Sequence, residues 1–250
     1  MKNKIILIIC LSVLAYSNGQ NNKKGNLSIT KAVYENPTDT YPKYVMGGNV
    51  QEHATLTVYD QSLNAYSITL KQDKETGFVF EAKTPRIADM DGDGYNDVCV
   101  VESSVTKGSS LSIYSIRDGE IVKIAQNAFL GKSPQWLAIA GITDFDGDGQ
   151  NEIAYVEKPH GYNHLTFWKL KKGELVKIGD MDELTGHIEG TDFYQFAIRN
   201  CKGKLPQVVL NDSKFETIYA VGFKNRKLTK EALGKYVNEK SAYKLSQNCN

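Results

Sequence analysis

Two copies of one acidic stretch stand 55 residues apart in this 250-residue chain. They are Asp89-Met90-Asp91-Gly92-Asp93-Gly94-Tyr95-Asn96-Asp97 and Asp144-Phe145-Asp146-Gly147-Asp148-Gly149-Gln150-Asn151-Glu152. Counted from the first aspartate, carboxylates fall at positions 1, 3, 5 and 9 and glycines at positions 4 and 6. That spacing lets oxygen atoms wrap around one hard cation. Ca2+ suits it best, because Ca2+ accepts about six to eight oxygens in flexible geometry whereas Mg2+ demands a tight octahedron and keeps its waters. Asp-Gly pairs also build ordinary turns. Three aspartates held close together repel one another, however, and a plain turn has no use for that repulsion twice at matched positions.

An EF-hand begins with the same acidic spacing but needs a glutamate at loop position 12 and helices on both sides. Position 12 is Val100 in the first stretch and Tyr155 in the second. The residues that follow, Val98-Cys99-Val100-Val101 and Ile153-Ala154-Tyr155-Val156, are short, apolar and partly β-branched, which favours strands. These are strand-flanked loops that close at position 9. In this they resemble the FG-GAP or VCBS family, the calcium-bearing repeat of integrin-type β-propellers. The resemblance implies two Ca2+ sites, held by the side chains at positions 1, 3, 5 and 9 and by the carbonyl of position 7. Here those residues are Asp89, Asp91, Asp93, Tyr95 and Asp97, then Asp144, Asp146, Asp148, Gln150 and Glu152.

A repeat protein repeats its whole supersecondary unit. The segment Leu111–Ile124 aligns with Leu165–Ile178, and six of the fourteen positions are identical. Each segment alternates apolar with polar residues and breaks once at a glycine, so each reads as a β-hairpin. One period further on, the frame persists through Val208-Val209-Leu210 and a hairpin near Thr217–Thr229, but Arg199, Cys201, Gly203 and Gln207 stand at the ligand positions. One period back lie a strand at Leu27–Tyr34, a second at Lys43–Met46 and a hairpin from about Leu56 to Lys71. The expectation is an all-β fold, a small β-propeller or propeller-like array of about four four-stranded repeats near 27–71, 86–124, 136–178 and 193–230, in one domain spanning 27–250. Either pairing of the N-terminal strand with the last unit or a final strand at Ser241–Leu245 would close the ring; an open stack of the same units is the alternative.

Residues 1–19 read as a secretory leader: Lys2 and Lys4 precede the apolar run Ile5–Ala15, and Ser17 and Gly19 offer a cleavage site. That run is too short for a comfortable membrane span. Residues 20–26 read as a flexible N-terminus, and the protein as secreted or periplasmic. Of the four cysteines, Cys10 leaves with the leader and Cys99 lies in an apolar strand. Cys201 in the third loop and Cys249 in the tail are then candidates for a disulfide.

A formal charge of +1 gives no support to nucleic-acid binding. The chain has no Gly-x-Ser-x-Gly elbow, phosphate loop, His-Glu-x-x-His or zinc-type cysteine pairing. No catalytic residue is assigned, and the chain is expected not to be an enzyme. His160 and His164, which flank Gly161 and Tyr162, are a candidate metal pair and equally ordinary loop residues, and His53 and His187 are isolated. Asp180, Asp182 and Glu183 resemble a glycosidase dyad in composition alone. The sequence therefore suggests a calcium-stabilised binding module for a protein or glycan, with Trp136, Trp168 and Tyr162 as candidate contact aromatics. An inhibitor or immunity protein against a cell-wall hydrolase is one alternative, and a propeller-fold hydrolase or lyase is the other.

Overall fold

The computed structural model describes residues 25–41 and 51–249. The expected leader, most of the expected flexible segment and the strand expected at Lys43–Met46 lie outside the described residues. The fold is all-β, with three antiparallel sheets and one short helix.

The first sheet has nine strands. They are β1 (Asn26–Leu27), β2 (Lys31–Pro37), β3 (His53–Tyr59), β4 (Ala65–Thr69), β5 (Phe78–Phe80), β6 (Arg86–Ala88), β7 (Asp97–Ser104), β8 (Gly108–Arg117) and β9 (Glu120–Gln126). The second sheet is a four-stranded meander of β10 (Leu137–Thr143), β11 (Glu152–Glu157), β12 (His164–Lys171) and β13 (Glu174–Met181). The third holds β14 (Leu184–Thr185), β15 (Ala197–Arg199), β16 (Gln207–Asp212), β17 (Thr217–Lys224) and β18 (Lys227–Lys235), followed by α1 (Ser241–Ser246).

The meanders β6–β9, β10–β13 and β15–β18 share their irregularities. A bulge between the third and fourth strands falls at Ile113/Tyr114, at Phe167/Trp168 and at Ile218/Tyr219. The hairpin turns place two successive residues at positive φ: Asp118 and Gly119, Lys172 and Gly173, Asn225 and Arg226. A type I′ turn demands that conformation, and a glycine at its second position meets it without strain.

The apolar runs in β7, β11 and β16 are continuous because both faces of each strand are covered. Val98 and Val100 pack toward Leu56, Val58 and Phe80, whereas Cys99 and Val101 pack toward Ile153 and Tyr155 of the second sheet. Ala154 and Val156 face Val208 and Leu210 of the third. Val209 points the other way, onto Ala242 of α1. The sheets therefore stack face to face, each burying the next. Burial at about 25 cal/mol per Å2 of apolar area makes this stacking the main source of stability. The first strands β6 and β10 and the β15 region line one cavity through Ile87, Ile139, Ile142, Phe196 and Ile198, with Arg86 as its charged residue.

Two expectations about the ends of the chain are corrected. The N-terminal strand does not pair with the last unit: β1 pairs with β8, Asn26 opposite Arg117 and Leu27 opposite Ile116. Residues Ser241–Ser246 are helix rather than strand. Ala242 and Leu245, one turn apart, fall on the side that meets Val209 and Ile218, a helical spacing that a strand could not present to one face. Among the described residues, no sheet closes on itself. No described helix is long and apolar enough to cross a membrane.

Candidate metal centre

Each acidic loop connects the first strand of a meander to the second and is folded by its own carboxylates. In the first, Asp89 accepts from the backbone N–H of Gly92 at 2.7 Å and of Gly94 at 2.9 Å. In the second, Asp144 accepts from Gly147 at 2.7 Å and Gly149 at 2.9 Å. The glycines at positions 4 and 6 have φ of +77° and +88° in the first loop and +80° and +90° in the second. Side chains other than glycine rarely adopt these angles, so the glycines give the tight curl that brings the aspartates together. Position 2 anchors the loop: Met90 and Phe145 are fully buried. Position 9 closes it, with Asp97 accepting from the Met90 N–H at 3.0 Å and Glu152 from the Phe145 N–H at 2.7 Å.

The structure gathers ligand oxygens of Asp89, Asp91 and Asp97 within 4.8 Å of one another, and in the second loop those of Asp144, Asp146, Asp148 and Glu152. Asp93 stands outside the first cluster. Its carboxylate accepts from Asn26 Nδ2 at 2.6 Å and from the Tyr95 N–H at 2.9 Å. Tyr95 is exposed. Gln150 uses its side-chain amide to bridge the loops, donating to the carbonyl of Met90 at 3.1 Å, and Asn151 donates to that of Asp89 at 2.8 Å. The two loops thus touch and form one rim.

Burial raises the Asp97 carboxyl to about 6, and burial together with neighbouring Asp93 raises Asp91. Crowded, partly dehydrated carboxylates of this kind favour either a proton or a cation. An all-oxygen donor set fits a hard divalent ion such as Ca2+. The second loop differs in carrying its own cation. Lys169, on β12 and buried, places Nζ 2.5 Å from both Asp148 Oδ1 and Glu152 Oε1 and 3.5 Å from Asp146 Oδ1. Burial works against its charge, but Asp148 and Glu152 outweigh that and hold it protonated.

The third loop closes without an acidic ring. Cys201 and Cys249 form a disulfide with Cα atoms 5.4 Å apart. Arg199 donates to the Asn248 carbonyl at 2.9 Å and pairs with Glu231 at 3.2 Å. Gly203 keeps the positive φ of the loop glycines, and Gln207 Oε1 accepts from Arg199.

A family model described as an FG-GAP-like repeat matches residues 89–155. This segment is an FG-GAP-like repeat. The FG-GAP-like repeat runs from the first aspartate of loop one, through the hairpin of β8 and β9, to the strand that leaves loop two. No curated protein matches the chain. Among solved structures, the rhamnogalacturonan lyase YesW is similar over 74% of this chain and 42% of its own, at 14% identity and a TM-score of 0.37. The exotype rhamnogalacturonan lyase YesX matches over 74% and 41%, at 14% identity and a TM-score of 0.38. This chain thus spans less than half the length of either. Both are enzymes, and the expectation that this chain is not one is withdrawn. Likeness at this level assigns neither activity nor substrate here.

The other expected site residues disperse. His160 and His164 take different partners. His164 Nδ1 meets Asp182 at 2.6 Å and its Nε2 meets Asp180 at 3.3 Å, so the acidic pair is engaged with an imidazole. His160 Nε2 contacts His187 Nδ1, and His187 Nε2 donates to the Thr191 carbonyl at 3.0 Å. Burial, then the neighbouring His160, pushes His187 down to about 4. His53 stacks on Tyr34. Trp136 is buried among His160, His187 and Tyr194, and Trp168 stacks on Tyr155, so neither leads the surface. Tyr162 is 58% exposed. Sequence reasoning missed Lys169. Its one signal was a lysine in a strand whose hairpin counterpart, Ser115, is uncharged.

Proposed function

We propose that this chain is a secreted or periplasmic calcium-binding repeat protein whose acidic rim stiffens a surface that engages a protein or glycan. The observation that carries this reading is the convergence of Asp89, Asp91 and Asp97, with ligand oxygens within 4.8 Å on a loop whose backbone donors already curl around them. Bound Ca2+ would neutralise these carboxylates and lock the strands that leave the loop. Extracellular modules bind it at about 0.1–1 mM, matched to supply. The Cys201–Cys249 disulfide supports an oxidising compartment. The bulges and I′ turns shared by three meanders, and their face-to-face stacking, support a propeller-like arrangement of repeated units. Exposed Tyr162, beside a shallow pocket lined by Pro134, Trp136, Lys158 and His160, offers an aromatic face to a sugar ring or a peptide.

Calorimetric titration of metal-stripped protein with CaCl2, with melting curves in calcium and in chelator, tests the metal reading. Calcium uptake with a higher melting temperature is expected, and no uptake overturns it. Glycan-array binding that needs calcium and is lost in Tyr162→Ala would support a glycan partner. Stoichiometric inhibition of a purified cell-wall hydrolase would select the inhibitor reading instead.

A further inference from the structure

The two acidic loops are near copies in sequence, yet the strand opposite each closing carboxylate differs. In the aligned hairpins, Ser115 and Lys169 occupy the same position. Both are buried, one a neutral hydroxyl beside Asp97 and the other an ammonium beside Glu152. Lys169 stands in direct register with Glu152 across β11 and β12. Its Nζ reaches Asp146, Asp148 and Glu152, three of the four clustered carboxylates.

The first loop has no such group. Arg117 touches it from the rim, with Nη2 2.7 Å from Asp91 Oδ2 and a side chain 41% exposed. That contact leaves Asp89 and Asp97 without a cation among the described residues. A half-exposed guanidinium on one carboxylate can swing away at modest cost. A buried ammonium cannot, because its stem is packed within the sheet and Glu152, its partner in register, is itself shut off from water.

From this geometry we infer that Lys169 is the resident cation of the second loop, so that calcium enters the first loop and not the second. The inference rests on the calcium reading of the first loop proposed above. A metal entering the second loop must expel or strand a buried ammonium, which lowers its affinity by roughly a hundredfold or more. The repeat then holds two versions of one device, one sensitive to free calcium and one permanently closed by its own side chain.

Calorimetric titration of metal-stripped wild type, Lys169→Met and Lys169→Ser with CaCl2, joined to melting curves in chelator, tests the inference. Methionine keeps the buried stem, and serine copies position 115. The wild type is expected to bind one equivalent and the variants two, and the variants are expected to melt lower in chelator and recover in calcium. Two equivalents in the wild type overturn the inference and leave the calcium reading standing, and so does one equivalent in wild type and both variants. No binding by the wild type with one equivalent in the variants removes the first-loop reading and upholds the role of Lys169. No binding by any of the three overturns both.

Discussion

Glu152 on β11 and Lys169 on β12 stand in register and meet at 2.5 Å between Oε1 and Nζ, and both are shielded from water. Removing one partner of such a pair leaves the other charge buried and short of partners. Glu152→Gln is therefore expected to lose about 3–5 kcal/mol of stability. The loss should be equal in calcium and in chelator. Urea unfolding under both conditions measures it, and a loss confined to calcium would contradict the pairing.

Asp97 predicts the opposite pattern. Burial raises its carboxyl to about 6, so Asp97→Asn removes a costly charge while an amide oxygen can still accept from the Met90 N–H. In chelator the variant should melt at or above the wild type. In millimolar calcium the wild type should melt higher and the variant should not respond. Paired melting curves decide this, and a calcium response that survives in Asp97→Asn would remove this residue from the ligand set.

Glu81 gives a pH dependence. It lies just past β5, buried, with Oε2 accepting from Ser109 Oγ at 3.1 Å and Oε1 lacking a partner. Burial raises it from its ordinary 4.5 to about 8. Because the folded state prefers the protonated form, stability is fully present below about pH 4.5 and is lost as pH rises through about 8. His187 works in the other direction: burial and His160 lower it to about 4, so its contribution is present above its ordinary 6.5 and fades as pH falls toward 4. Glu81→Gln separates the two. It should gain on the order of 2–4 kcal/mol at pH 8 and nothing at pH 4.5, measured by denaturant titration at both.

The Cys201–Cys249 bridge closes a segment with a sequence separation of 48. Constraining a loop of that length in the unfolded chain is worth about 3–4 kcal/mol. Cys249→Ser should lose that much and loosen α1, which packs on Val209 and Ile218. Hydrogen exchange of α1, with and without reductant, checks it; unchanged protection would show that packing alone holds the helix.

Much of the local structure was legible in the sequence, because both faces of the central strands and the turns are coded locally. Val98–Val101 and Ile153–Val156 announce strands covered on both sides, and Asp118-Gly119 and Lys172-Gly173 announce their turns. Neighbours are not coded in this way. That β5 joins the first two units into a nine-stranded sheet, that β1 lies against β8, or that Trp136 is enclosed by His160, His187 and Tyr194 depends on partners distant in sequence. The gathering of carboxylates was readable by residue type at positions 1, 3 and 9 of both loops. What escaped was occupancy: Asn26 draws Asp93 aside, and Lys169 fills the second ring. A periodic pattern tells which face a residue takes, not which charge will meet it there.

The segment Asn26–Ile29 is fastened to the first acidic loop: Asn26 to Asp93, Ser28 Oγ to the N–H of Asn96, and the Ile29 N–H to the carbonyl of Asn96. Sequence separations of 67 and 68 divide these partners. During synthesis, Ile29 meets Leu56 and Val58 early, but the hydrogen-bond partners of Asn26 and Ser28 come only when the loop and β8 have left the ribosome. Among the first parts of the described chain to be made, it is thus one of the later parts to be placed, and a cation that sets the loop would also set the moment at which the beginning of the chain comes to rest.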